Sequence, residues 1–328
     1  MSNLNRRSFT LGAAALGATL IGSRHATALD ADFPLTINHA FGQTTFTQAP
    51  QRIVTIGWMT QDAAVALGTV PLAIPEQIWG GDNNHILPWL ATALQQKGIA
   101  LPQRINFDTD IPYEQVLALQ PDAILATYSG LTQEQYDRLS IIAPVAAYPD
   151  QPWSGSWQDV TLSTGKILGK ADEAQVLVDQ TNARIVAAAA AHPEFQGKTF
   201  AFSSLWVGES NMNVYVRTDP RVQLVEQLGF MLAPGIAALP IDQGFIAQIS
   251  YENLGTVDAD VLITLDEGDA ASDALFANPL FQRFRPVVEG HHLRMNDKAF
   301  VMATSAPSVI GIPWMLDRFV PELAALFS

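Results

Sequence analysis

Short apolar runs alternate with helically spaced ones along most of the chain. Arg52-Ile53-Val54-Thr55-Ile56 is β-branched and compact, which predicts a buried strand; Gln61 to Leu67 then carries helical spacing and stops at Gly68. Leu72-Ala73-Ile74 predicts the next strand. The stretch IPYEQVLALQPDAIL, Ile111 to Leu125, tolerates Pro112 in a first helical turn, sets Val116, Leu117 and Leu119 on a helix, and breaks at Pro121-Asp122. It runs on into a strand over Ala123 to Ala126, and Ala143 to Ala147 predicts another. Short apolar strands separated by helices imply an α/β lobe with a mostly parallel sheet.

From Trp157 to Ala191 the pattern becomes helical: Leu162, Ile167, Leu168, then Ala174, Val176, Leu177, Val178, Ile185 and a tract of alanines, closed by His192-Pro193. Gly165 and Gly169 are points where it could be interrupted. Lys198 to Phe202 then repeats the role of Arg52 to Ile56, and a helix from about Arg221 to Leu228 stops at Gly229 as its counterpart stops at Gly68. The stretch ISYENLGTVDADVLI, Ile249 to Ile263, matches Ile111 to Leu125, pairing Tyr113 with Tyr251, Glu114 with Glu252 and Asp122 with Asp260. Ser250 is expected to cap the second helix, with a strand over Val261 to Thr264. A helix-to-strand unit used twice implies two similar lobes about a helical connection. The expected boundaries are residues 29–156, 157–192 and 193–328.

The first residues change what the mature chain is. Asn5-Arg6-Arg7-Ser8-Phe9, an apolar run from Leu11 to Gly22 and Ala26-Thr27-Ala28 read as a twin-arginine export signal over residues 1–28 with cleavage after Ala28. The run is shorter than the roughly 20 residues a membrane span needs, so no membrane insertion of the mature chain is expected. Cleavage would remove Arg6, Arg7 and Arg24 and no acid, leaving 15 basic against 32 acidic residues. That surplus argues against a nucleic-acid partner. With no cysteine in the sequence, a lipid anchor, thiolate metal sites and disulfides are excluded.

A family likeness rests on several stretches in order: Arg52-Ile53-Val54 after Pro50, ALG at 66–68, Tyr-Glu ahead of LQPDAIL, RLSIIAPV at 138–145, NPLFQRFRPVVEGH at 278–291 and the helical tail after Pro313. Together they resemble periplasmic substrate-binding proteins of the ferric siderophore, haem and cobalamin uptake class, over nearly the whole mature chain. The resemblance implies an α/β fold of two Rossmann-like lobes joined by a single long α-helix, the class III periplasmic binding protein type. It implies a monomer without catalysis or cofactor, whose ligand is an Fe(III)-siderophore complex held between the lobes and delivered to the permease dimer of an inner-membrane ABC transporter. Such proteins use a glutamate near a helix start on each lobe for docking, and the matching positions are Glu114 and Glu252. A carboxylate there is also favoured simply by the helix dipole.

In open α/β sheets ligands sit beyond the carboxyl ends of strands. That rule nominates Trp58, then Tyr128 and Ser129, then Trp206, and Ser305 after the apolar run Phe300 to Ala303. Tyr215-Val216-Arg217 adds an aromatic ring and a cation able to fork onto chelate oxygens. The resemblance adds Arg104, upstream of Tyr-Glu where hydroxamate-binding relatives place an arginine, and Phe245. For each aromatic, core packing and ligand contact both fit the sequence. Haem, cobalamin or another metal chelate would suit the same fold. Bare metal is disfavoured because His39, His85, His192, His291 and His292 show no ligand spacing. A periplasmic serine hydrolase is the other alternative, on Ser163-Thr164-Gly165-Lys166. No S-D-N or K-T-G triplet accompanies that S-x-x-K match.

Overall fold

The computed structural model describes residues 33–107, 110–205, 211–240, 244–266, 268 and 270–328. The export signal and Trp206 lie outside the described residues. A hairpin of β1 (Leu35–His39) and β2 (Gly42–Phe46) opens the fold. No element is predicted from sequence over these residues, although Leu35, Ile37 and His39 alternate as strand residues do. Its buried polar residues face lobe 1, where the Thr44 hydroxyl donates to the Val145 carbonyl at 2.7 Å.

Lobe 1 is a five-stranded parallel sheet in the order β5 (Gln103–Ile105), β4 (Ala73–Pro75), β3 (Ile53–Thr55), β6 (Ala123–Ala126), β7 (Val145–Ala147). Helices α1 (Thr60–Ala66), α2 (Pro88–Gln96), α3 (Tyr113–Ala118) and α4 (Gln133–Ser140) connect it. Each residue of β3 and β6 is buried, which is why both read as continuous apolar runs.

The helical stretch after lobe 1 is two helices. α5 (Trp157–Ile167) starts on a capping box between Ser156 and Asp159, and α6 (Ala171–Ala191) follows a turn at residues 168–170. They pack so closely that a β-carbon on Gly165 would collide with that of Ala174. α6 is the long helix, and it leads through a short 3₁₀ turn into the second lobe.

Lobe 2 has a mixed sheet. β8 (Thr199–Ser204), β12 (Val261–Leu265), β13 (His292–Met295) and the short β10 (Met231–Leu232) are parallel; β9 (Asn211–Tyr215) runs antiparallel to β8, and β11 (Ile246–Ser250) antiparallel to β9. The helices are α7 (Pro220–Gln227), α8 (Pro234–Ala237), α9 (Ala270–Phe276), α10 (Arg285–Val288), α11 (Lys298–Ser305) and α12 (Gly311–Ala324). α12 returns to pack on α6 and α2, setting Trp314 against Trp89 at 5.3 Å between ring centres with the planes tilted by 49°.

Two expectations are corrected. Phe300 to Ala303 belongs to α11, not to a strand, because Asp297 caps the helix by accepting from the Phe300 N–H at 3.2 Å. The second repeat is a 3₁₀ helix, Tyr251–Thr256, and the Ser250 hydroxyl makes no cap bond. Asn253, Gly255 and Thr256 are poorer helix formers than Gln115, Leu117 and Ala118 at the matching positions, so the tighter, shorter turn wins.

The repeat does a common structural job in both lobes. Asp122 accepts from the Gln51 and Arg52 backbone N–H groups, each at 2.8 Å, and so fixes the entry to β3. Asp260 accepts from Thr199 N–H at 2.8 Å at the start of β8. Two residues before each aspartate, Gln120 and Asp258 both hold a left-handed backbone, with φ of 50° and 52°.

Candidate functional site

The parallel strands of both lobes direct their carboxyl ends toward one cleft. From lobe 1 come Trp58 after β3, Glu76 to Trp79 after β4, Tyr128 after β6 and the loop around Trp153 after β7. Lobe 2 supplies Ser204 and Leu205 from β8, Tyr215 from β9, Leu265 and Asp266 from β12, Arg221 from α7 and Met302 and Ser305 from α11. The cleft has two compartments, of about 380 and 780 Å³, that share Trp58, Arg221 and Ser305. The smaller is walled mainly by apolar groups; the larger adds Gln151, Ser154 and Thr218 to Trp153, Tyr128 and Phe245.

The lobe 1 wall is aromatic and locally over-determined. Gly57 holds a φ of 88°, and any β-carbon there would strike the Tyr128 carbonyl, so only glycine lets the two segments meet. The contact is closed by the Trp58 N–H donating to the Tyr128 carbonyl at 2.9 Å. Trp58 then packs on Trp153 at 4.9 Å and Tyr128 meets the same ring edge-on at 5.8 Å. Burial, with the Asp219 charge opposite, pushes the Tyr128 phenol up to about 12, so it stays a protonated donor at neutral pH.

The lobe 2 wall is built around one guanidinium. Asp219 and Pro220 start α7, the aspartate capping it by accepting from Arg221 N–H at 2.8 Å. Arg221 donates from Nη1 to Asp219 at 2.6 Å and from Nε to Ser305 Oγ at 3.2 Å, and lies 4.0 Å above the Tyr215 ring. Burial raises the Asp219 carboxyl above its usual value despite the adjacent cation. The result is a fixed, mostly buried donor fork facing aromatic rings across the cleft.

Of the residues nominated from sequence, the structure brings Trp58, Tyr128, Tyr215, Phe245 and Ser305 to the cleft. Ser129 does not line it: its side chain is buried and donates to the Ala126 carbonyl at 2.8 Å. Arg217 is exposed and pairs with Glu226 at 3.2 Å, because the chain leaves β9 and turns before α7. Arg104 lines a separate polar hollow of about 390 Å³ with His85 and Asn84, reaching the cleft only through the shared Glu76. Arg221, Asp219, Trp153, Trp79 and Asp266 were not nominated. Trp153 follows β7 and the strand-end rule reaches it equally; Asp219-Pro220 is a helix-start signal that would have carried Arg221 with it. Among the described residues no group of three or more His, Asp or Glu side chains could hold a metal ion.

Two α/β lobes, a long connecting helix and a cleft at the strands' carboxyl ends define a two-lobed solute-binding protein. The chain belongs to the periplasmic binding protein family, whose model matches residues 53–299. The ferrichrome complex of PiaA from Streptococcus pneumoniae is similar at 30% identity with a TM-score of 0.80, covering 89% of this chain and 98% of that one. A periplasmic solute-binding protein from Mycobacterium smegmatis is similar at 29% identity, TM-score 0.76, over 90% and 99%. The Fe(3+) dicitrate-binding periplasmic protein FecB of Escherichia coli is 26% identical over 213 residues, 62% of this chain and 66% of that protein. Among the described residues no helix is long and apolar enough to cross a membrane.

Proposed function

We propose that this protein captures a ferric siderophore between its lobes and delivers it to an ABC importer, with no catalysis of its own. The observation that carries this is the cleft: aromatic rings from one lobe face a positioned guanidinium from the other, in a fold shared with a protein solved with ferrichrome. Rings pack on the organic shell of a chelate while the fork meets its ligating oxygens. The mature chain begins at Leu29, exported to the periplasm by the twin-arginine route, with lobes over residues 29–156 and 193–328 and the connection over 157–192.

Glu114 and Glu252 dock the two subunits of a permease dimer. Both are exposed, both sit in the first turn of the matched repeats, and neither is committed to a cation among the described residues. Exposed charges of this kind steer association more than they add affinity.

Titrating the tryptophan fluorescence of residues 29–328 with ferric siderophores, haemin, cobalamin and bare metal ions tests the capture step. Saturable quenching by a ferric siderophore is expected. A response to haemin or cobalamin alone would replace the ligand, and silence throughout would contradict the capture reading.

A further inference from the structure

Ferric siderophores differ most sharply in charge. Hydroxamates, each singly deprotonated, cancel the ferric charge, whereas doubly deprotonated catecholates or the surplus carboxylates of citrate leave a net anion. An anionic chelate needs uncommitted cations at its site, because a desolvated like-charge contact costs several kcal/mol.

The cleft does not provide them. Among the described residues its lining holds four carboxylates, Glu76, Asp159, Asp219 and Asp266, against one cation, Arg221, with the His85 imidazole bonded to Glu76 from outside the lining. Arg221 is already held by Asp219 at 2.6 Å. Arg294, behind the lining, is held by Asp266 at 3.1 Å and lies over the Phe276 ring. The two arginines nominated from sequence, Arg104 and Arg217, line neither compartment. Lys298 stays outside as well, its ammonium 5.9 Å from the Trp79 ring centre. The internal segments beyond the described residues contain no lysine, arginine or histidine. Arg221 thus acts as an oriented donor to polarised oxygens rather than as a counter-charge.

We infer that the cleft selects an uncharged or cationic ferric chelate of the hydroxamate class and rejects polyanionic catecholate and hydroxycarboxylate complexes. The selection rests on the capture reading above, and it comes from a cleft whose arginines are already neutralised by Asp219 and Asp266, with the Glu76 and Asp159 carboxylates added on the other wall, rather than from shape alone.

The test compares four ferric complexes on residues 29–328 by the same fluorescence titration: ferrichrome, uncharged; ferrioxamine B, a cation; ferric dicitrate; and a ferric tris-catecholate. Ferrichrome or ferrioxamine B should bind at least about 100-fold more tightly than either anion, a gap equivalent to two decades of affinity. An anion binding as tightly as the hydroxamates overturns the selection and leaves siderophore capture standing. No response to any of the four overturns capture, and the selection with it. Glu76→Lys separates charge from shape: the ferrichrome-to-dicitrate affinity ratio should fall about 10-fold when a cation replaces this half-buried carboxylate. An unchanged ratio would show that charge is not what selects.

Discussion

Burying the Asp62 carboxylate costs the fold stability. It lies fully buried on α1, accepting from Trp89 Nε1 at 2.6 Å and from the Ser308 hydroxyl, which stands between α11 and α12. Its other carboxylate oxygen has no partner. Burial raises this carboxyl from 3.8 to about 6. Because the folded pKa lies above the unfolded one, the folded state binds the extra proton between those values and stability falls as pH rises from about 4 to about 6. The loss then stays constant, on the order of 3 kcal/mol at neutral pH. Asp62→Asn is predicted to flatten that slope and raise the denaturant midpoint at neutral pH, which unfolding curves across this window would check. A slope kept intact in the variant would place the titration elsewhere. At the same scale, Arg221→Leu leaves Asp219 buried without its cation, so a loss of about 3 to 5 kcal/mol is expected by denaturant unfolding, along with weakened chelate binding.

Elements were easier to read than the side chains they position. The strands of lobe 1, α6 and the matched repeats are visible in sequence because parallel strands are buried on both faces and long helices carry their own period. The break inside the 157–191 stretch was half legible: Gly169 falls in the turn between the two helices, whereas Gly165 looks like a breaker but serves close packing on Ala174. Gly165→Ala is expected to cost about 1 to 3 kcal/mol, measured by chemical denaturation, although alanine is the better helix former. The site follows the same division. Residues directly after strands, such as Trp58 and Tyr128, were legible. Arg217 and Arg221 stand only four positions apart, and which one faces the cleft depends on a turn at Thr218-Asp219 that periodicity does not reveal. Trp79 sits in a loop whose path is set by packing on lobe 2 rather than by local pattern, with Gly80 against Met302.

For the whole molecule, the proposed capture and docking roles fall on different residues. The cleft residues are gathered at the carboxyl ends of both sheets, while Glu114 and Glu252 are exposed in the turns that precede β6 and β12. Replacing both glutamates with alanine is therefore predicted to leave chelate affinity within about 2-fold while abolishing iron uptake in cells, because neither glutamate lines the cleft and rim charges act on association with the partner. Persistent uptake by the double variant would remove the docking role. The central claim is that iron arrives chelated and lodges between the lobes. It is tested most directly by iron-edge anomalous diffraction from crystals grown with a ferric hydroxamate. The account predicts a single iron peak between the Trp58–Trp153 pair and the Arg221–Ser305 pair; a peak at a histidine such as His85, or anywhere outside the cleft, would contradict it.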